Sequence, residues 1–340
     1  MPNPAAFVSA DQAEAPFFAG VDVGGTSIKI GLVDNRGRAL AFEAIPTQEE
    51  HGPEQATQGM AAAVNRLREK SGVGPIARVG LVTPGPIDQV NGVITGAGNL
   101  PSWWGYPIVK ELADGCGAPV RFANDANAAC FGEYWRGAGA GCHSVVMLTL
   151  GTGVGGGIVV ADHLIEGVHG AGGECGHLLL DPGDDAPADS LGKTGSLEAY
   201  CGAYSVIRRT KEALDAGDPS SIRKRVDEGE DLTPLLIAQE AEKSDQLALD
   251  IVLGTARYLG LAIVTFIHTI DPDLVVLGGA MTFGGAGHPL GERFIEHIRE
   301  TTRPRIAEPL RAGMRIEFAT LGGDAGYIGA AGLARAASSR

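Results

Sequence analysis

Apolar positions along the chain come in short runs closed by glycine, with stretches of helical spacing between them. Residues 17–23 form the first run and predict a buried strand. Residues 28–33 are its hairpin partner, with Gly24-Gly25-Thr26 at the turn. Asn35-Arg36-Gly37 starts a second turn, and 39–45 predicts a third strand. Over 57–70 the period changes, placing Met60, Ala63, Val64 and Leu67 on one helical face. A strand at 78–82 ends at Pro84-Gly85-Pro86, followed by a short helix at 108–112, a strand at 120–123 and a helix at 126–134. The β-branched run 144–150 predicts a strand, 151–157 a glycine turn, and 158–161 the returning strand. Strand, glycine turn, strand thus occurs at 17–33 and again at 144–161, a weak internal duplication of one unit. Helices at 198–214 and 245–270, a strand at 274–277 running into Gly278-Gly279, a helix at 289–300, a strand at 315–319 and a helix at 324–337 complete the pattern. The polar, turn-rich stretch 181–195 reads as a surface loop. Strands and helices are mixed throughout, so the class is α/β.

Composition changes this picture at three points. Of 340 residues, 51 are glycine, about twice the ordinary share. No Gly-X-Y period is present and 44% of residues are hydrophobic, which excludes collagen and wholesale disorder. The glycines therefore need local explanations. The length suggests about two domains, each able to bury a core. The net charge of −14 argues against a nucleic-acid or anionic-membrane partner. It does not exclude phosphate ligands, which backbone N–H groups and helix N-termini can hold. The five cysteines, at 116, 130, 142, 175 and 201, are odd in number and form no CxxC pair. That speaks against a disulfide framework or zinc ribbon and for a reducing compartment. Residues 1–16 read as a loose leader with no basic segment, unlike a secretory signal. No uninterrupted apolar run approaches the roughly 20 residues of a membrane span. A cytoplasmic location is expected.

Four motifs carry candidate chemistry. In Asp22-Val23-Gly24-Gly25-Thr26 a carboxylate ends a buried strand and a glycine turn follows. Without Cβ atoms, backbone N–H groups can approach a phosphate, Thr26 can add a hydroxyl, and Asp22 can face Mg2+ directly or through water. An ordinary hairpin turn is the plainer reading. In 149–157, five of the seven residues from 151 are glycine, more than a simple hairpin needs. A second phosphate cradle accounts for the excess, although neither a Walker A ending nor a helix-opening GxGxxG is present. In Phe122-Ala123-Asn124-Asp125-Ala126-Asn127, Asp125 stands where a strand enters a helix. It is either a helix N-cap or a general base, with Asn124 beside it to meet hydroxyls. In 170–177, Glu174 and His177 are spaced to reach one site, and dense glycine presses their loop against something small. HExxH is absent, so a metalloprotease is not supported.

The segments DVGGTSIKIGLVD, TPGPID, GNLPSWW, NDANAACFGE, TLGTGVGGG, GAGGECGH, GSLEAY, DPDLVVLGGA and GDAGYIGAAG occur in this order. Together they resemble the ROK family of bacterial sugar kinases, most closely its glucokinases, over about residues 17–335. The resemblance implies the actin-like ATPase (ribonuclease H-like) fold, two α/β domains around a central cleft. A smaller domain would take 17–124 and the C-terminal helix at about 324–340, and a larger one 125–323. It also implies transfer of the γ-phosphoryl group of ATP to a hexose 6-hydroxyl, most closely that of glucose, with Mg2+. Carried over by position, Asp125 would take the proton from that hydroxyl. Asn99, Asn124, Glu174, His177 and Glu198 would bind the other hydroxyls. Gly24, Gly25 and Thr26 would form one phosphate loop, and Gly151, Thr152, Gly153 and Gly155 the other. Gly278 and Gly279 would lie near the adenosine, and Asp22 is the candidate Mg2+ carboxylate. Trp103 and Trp104 wall the sugar site or fill the core, and the core is the simpler place for them. A homodimer is the family expectation.

One departure stands out. The family carries a zinc site built from a His and a C-x-C-G-x-x-G-C-x-E segment. Here Gly192, Gly195 and Glu198 keep that spacing, but Asp189, Leu191 and Ser196 stand at the cysteine positions. Leucine cannot ligate zinc, so no structural zinc is expected. His177 then needs another anchor, a carbonyl or Asp189. Ser27 also stands where the family loop often has Lys, and Lys29 reads as a strand residue.

Rival readings are a kinase for N-acetylglucosamine, N-acetylmannosamine, mannose or fructose, a sugar-responsive repressor, and a non-catalytic sugar-sensing relic. Only about 16 residues precede Phe17, too few for a helix-turn-helix module. Asp125 argues against a relic, which needs no base. Neither the preferred hexose nor the use of polyphosphate follows from the motifs.

Overall fold

The computed structural model describes residues 7–338. The first apolar run becomes β1 (Phe17–Val23), paired antiparallel with β2 (Ser27–Val33), which pairs antiparallel with β3 (Ala39–Pro46). β4 (Ile76–Thr83) lies parallel to β1. β5 (Ile87–Asp88) and β6 (Val93–Ile94) form a small hairpin, and β7 (Val120–Asn124) joins β4 in parallel. The sheet order is β3-β2-β1-β4-β7.

The second half repeats this plan strand for strand. β8 (Val145–Leu150), β9 (Val154–Val160) and β10 (His163–Leu164) form an antiparallel meander. β11 (Leu274–Gly279) and β12 (Ile316–Phe318) then add in parallel, giving β10-β9-β8-β11-β12. The duplication expected for one hairpin therefore extends to the whole sheet.

Helices cover both sheets. α1 (Pro53–Ser71) and α2 (Ile108–Cys116) enclose the first core, where Met60, Val64, Leu81 and Trp103 are buried. α3 (Asp125–Arg136) follows β7 directly. The second core is closed by α4 (Glu198–Cys201), α5 (Ala203–Asp215), α6 (Ser221–Asp227), α7 (Pro234–Glu242), α8 (Gln246–Ile270), α9 (Pro289–Thr302) and α10 (Glu308–Arg311). α11 (Ala325–Ser338) returns to pack on β1 and β4 and crosses α3. Gly20 and Gly80 let its backbone touch the sheet, because a Cβ at either would meet the carbonyl of Tyr327 or Ala330. Gly132 and Gly329 do the same where α3 and α11 cross. Part of the glycine excess is thus the close seating of one helix.

Glu133 fastens the same region. Its buried carboxylate accepts the N–H groups of Thr320 (2.9 Å), Leu321 (2.7 Å) and Ala138 (2.8 Å). The chain leaving β12 is thereby held to α3.

Several expectations need correction. The expected helix 198–214 breaks at Gly202, whose backbone is extended, into α4 and α5. α6 and α7 lie in a stretch for which no element was expected, and Ser220 and Thr233 cap their first N–H groups. The glycine turn expected over 151–157 is shorter, because β9 begins at Val154 and takes Gly155, Gly156 and Gly157 into the ladder. The loose leader does not describe residues 7–16: Val8 N–H donates to the Ala39 carbonyl at 2.8 Å, and Glu14 N–H to Asp34 at 3.1 Å. Residues 1–6 lie outside the described residues. Though interrupted by Asp250 and Arg257, α8 reaches the length and hydropathy of a membrane span, with 25 residues and a mean hydropathy of 1.7 over its best window. Of that window 61% is buried within the protein against α5, α7 and α9, the position of a core helix.

Candidate active site

The site forms where the matching strand ends of the two sheets face each other. Asn124 ends β7, and its Oδ1 accepts the N–H groups of Ala126 (2.9 Å) and Asn127 (3.2 Å). Asn124 is thus the helix N-cap, and Asp125 shares only the Ala126 N–H, which its Oδ1 accepts at 2.8 Å. Only the Asn124 Nδ2 side, near Gly85, remains open to a ligand. Asp125 opens α3 deep in the site. Burial, reinforced by the nearby charge of Asp22, pushes its carboxyl up to about 6, and the Ala126 N–H opposes this.

Asp22 is a second, half-buried carboxylate. It lies on β1 against Gly326 in the first turn of α11. Burial raises its pKa, and Lys29 opposite on β2 lowers it. Among the described residues no hydrogen bond reaches the Asp22 carboxylate. Both acids are half-buried and have raised proton affinity, a setting that fits Mg2+. Lys29 is a strand residue as expected, and its Nζ donates to the Gly323 carbonyl at 2.8 Å, just before α11.

The first glycine turn is braced from behind. Gly24 N–H donates to the Ser27 carbonyl at 3.0 Å. The buried Thr47 donates its N–H to the Thr26 carbonyl (3.1 Å) and its hydroxyl to the Gly24 carbonyl (2.7 Å). These bonds leave the N–H groups of Gly25 and Thr26 without a protein acceptor among the described residues. A Cβ at Gly25 would meet the side chain of Asn99, so these two groups adjoin. In the second turn Gly151 N–H donates to the Gly153 carbonyl at 3.0 Å, and no acceptor engages Thr152 or Gly153 N–H among the described residues. Both turns therefore leave two N–H groups without a protein acceptor among the described residues, as an anion cradle requires.

The glycine excess around the second turn has another cause. A Cβ at Gly153 would meet Glu198, at Gly155 Thr149 and Ala126, at Gly156 Cys175, and at Gly157 Cys130. Only Gly151 faces open space. Gly278 is hemmed by Met147 and Ala319, and Gly279 takes φ 91° against Leu150. Most of these glycines answer to the protein's own packing.

The hydroxyl-binding candidates gather on one side. Glu174 is exposed, and its carboxylate lies 4.0 Å from His177 Nε2. His177 Nδ1 lies 2.9 Å from Asp189 Oδ2, so of the two expected anchors the carboxylate is the one present. Glu198 is buried. Its Oε2 accepts Val154 N–H at 2.9 Å, and its Oε1 accepts from Ser190 and from the Tyr204 hydroxyl at 3.2 Å. It therefore ties the second glycine turn to the 189–196 loop. Trp103 is buried in the first core. Trp104 is half exposed and donates Nε1 to the Ala97 carbonyl at 2.9 Å.

Other site residues were missed in the sequence. Buried Asn127 donates to the Gly172 carbonyl at 3.1 Å, holding the Glu174 loop to α3. Glu166, entering that loop, accepts from Arg121 on β7 and from Gln89 Nε2 (2.8 Å) in the β5–β6 hairpin. The second half thereby grips the first. Asn127 was legible as a polar residue on an apolar helix, but a surface-type Glu166 and Arg121 gave no signal.

Two sheets of the same strand order, joined through α3 and α11, have the architecture of the actin-like ATPase fold. The model of the ROK family matches residues 18–337. The chain is 35% identical to the glucokinase of Halalkalibacterium halodurans over 94% of this chain and 95% of that one. Its structure is similar to the ROK hexokinase from Thermus thermophilus, with a TM-score of 0.82, 32% identity, and 95% of this chain and 99% of that one covered. It is also similar to a ROK family glucokinase from Streptomyces griseus in complex with glucose and AMPPNP, with a TM-score of 0.73, 30% identity, and coverage of 94% and 100%. The chain belongs to the ROK family, and it is a sugar kinase with the actin-like ATPase fold.

Proposed function

We propose that the chain transfers the γ-phosphoryl group of ATP to the 6-hydroxyl of glucose, with Asp125 as general base. The observation that carries this reading is the Asp125 carboxyl, next to the Asn124 cap and raised to about 6 near the charge of Asp22. A base needs a proton affinity close to working pH, and an ordinary exposed Asp is too acidic for that. Asp125 draws the proton from the 6-hydroxyl as the oxygen attacks phosphorus. The N–H groups of Gly25, Thr26, Thr152 and Gly153 hold phosphate oxygens from opposite sides. Bound at Asp22, Mg2+ would supply neutralising charge for the phosphates. Asn99, the Nδ2 of Asn124, Glu174, His177 and Glu198 orient the remaining hydroxyls, and Gly278-Gly279 borders the adenosine. The smaller unit comprises 17–124 with α11, and the larger 125–323. Closure of the two excludes water during transfer. The kinase acts in the cytoplasm as a homodimer and holds no structural zinc.

A coupled assay with glucose, ATP and Mg2+, run beside Asp125→Ala, tests this. Turnover that disappears in the variant is expected. An inactive wild type, or an active variant, overturns it. Replacing glucose with mannose, fructose or the N-acetylhexosamines under the same conditions decides the sugar. Replacing ATP with polyphosphate decides the donor. Elemental analysis showing stoichiometric zinc would refute the metal-free loop.

A further inference from the structure

His177 offers its two ring nitrogens to different surroundings. Nδ1 faces Asp189 at 2.9 Å, and Nε2 faces the Glu174 side of the site. The Asp189 side chain is fully buried, although residues 190–194 that follow it are exposed. Its Oδ1 accepts the N–H groups of Leu191 (2.9 Å) and Lys193 (2.8 Å), and its Oδ2 accepts the Ser196 hydroxyl at 2.9 Å. Gly192 and Gly195, at φ 74° and 75°, turn the loop so that these donors converge. Burial alone would raise the Asp189 carboxyl, but the hydrogen bonds from Lys193, Ser196, His177 and Leu191 outweigh it and lower it. An ionised carboxylate can only accept, so a neutral His177 must carry its proton on Nδ1. Nε2 is then a bare acceptor.

We propose that Asp189 is a positioning residue that fixes His177 as the Nδ1–H tautomer, presenting Nε2 to accept a hydrogen bond from a hexose hydroxyl. The loop 189–196 thereby acts through the ring rather than by touching sugar. The hexose part rests on the sugar-kinase reading above, whereas the tautomer does not. A hydroxyl that donates to Nε2 is selected over a group that cannot, because the sugar displaces water from this half-buried acceptor and would otherwise leave it unpaired.

The test is 15N NMR of histidine-labelled full-length protein at pH 8 without sugar, with the His177 signals assigned from a His177→Gln sample. The wild type is expected to show a protonated Nδ1 and an unprotonated Nε2. The Nε2–H form in the wild type overturns the proposal, whatever the kinetics. In Asp189→Asn, whose amide can donate as well as accept, the fixed pattern is lost. KM for hexose should then rise about tenfold, the loss of roughly one hydrogen bond, with KM for ATP and kcat changing little. An unchanged hexose KM, or equal changes in both KM values, overturns the positioning role. Ser196→Ala keeps the carboxylate and serves if Asp189→Asn fails to fold. Retention of the Nδ1–H pattern supports Asp189 as the anchor, and its loss there overturns it. If no hexose is phosphorylated by the wild type, the sugar-kinase reading fails while the NMR result still decides the tautomer.

Discussion

The hairpins β1–β2 and β8–β9 occupy the same place in two sheets of the same plan, yet they are built for different work. The first places Asp22 one residue from the end of its strand, and the second places Thr149 there. The acid is paired across the ladder with Lys29, the threonine with Gly155. The first turn is held by Thr47 and borders the side chain of Asn99. The second is wedged between Glu198, Ala126, Cys175 and Cys130. The same plan thus gives two glycine turns, but only the first follows an acid. The contrast teaches that Gly25 in the first turn leaves access, while Gly155, Gly156 and Gly157 after the second serve packing.

The largest effect should fall on the acid pair that only the first half and α3 provide. Asp125→Asn should lower kcat by about 10²–10⁴-fold in the coupled assay. Its melting temperature at pH 7.5 should be no lower than that of the wild type. The sign follows from the raised pKa. Folding favours the protonated acid, so this group's stabilisation exists at low pH and is lost as pH rises through about 6. For the same reason the wild-type rate should fall as pH drops below about 6, where the base is protonated, and level off above it.

The contrast between the hairpins is sharpened next. Gly157→Ala forces a Cβ against Cys130 and the Ala126 carbonyl, and should cost about 1–3 kcal/mol in urea unfolding. Gly25→Ala meets only the movable side chain of Asn99. Its stability should change by no more than about 0.5 kcal/mol, with the loss appearing in KM for ATP or sugar. Equal destabilisation by the two would erase the proposed difference. A modest effect is expected at Glu166, where the two halves grip each other through part-buried side chains. Glu166→Gln should reduce stability by about 1 kcal/mol or less, and should raise KM for hexose several-fold by loosening the loop that carries Glu174.

Much of the architecture was legible because it depends on local pattern. β1, β4 and β8 are apolar runs with sharp glycine or proline ends, and their bounds differ from expectation by at most two residues. Helices α6 and α7 were not legible, because they are only seven and nine residues long, and their caps at Ser220 and Thr233 resemble ordinary loop residues. In the site, Asp125 and the glycine turns stood out by position. The reason for each glycine did not, since a missing Cβ looks the same whether the space is left for a phosphate or for Cys130. Asp189 illustrates the same limit. It lies in a stretch read as surface loop, and only the convergence of four donors buries it.

Sequence by itself determined the order of the main strands and of the longer helices, the repeated hairpin, the family, and the kinds of side chain available for phosphoryl transfer. Those properties are carried by local spacing and by residue type. Tertiary structure alone decided that Asn124 caps α3 beside Asp125, that the charge of Asp22 acts on Asp125, and that Asp189 faces His177. Each of these depends on groups brought together from distant segments, where burial and neighbouring charge set the proton affinity and no local pattern records either.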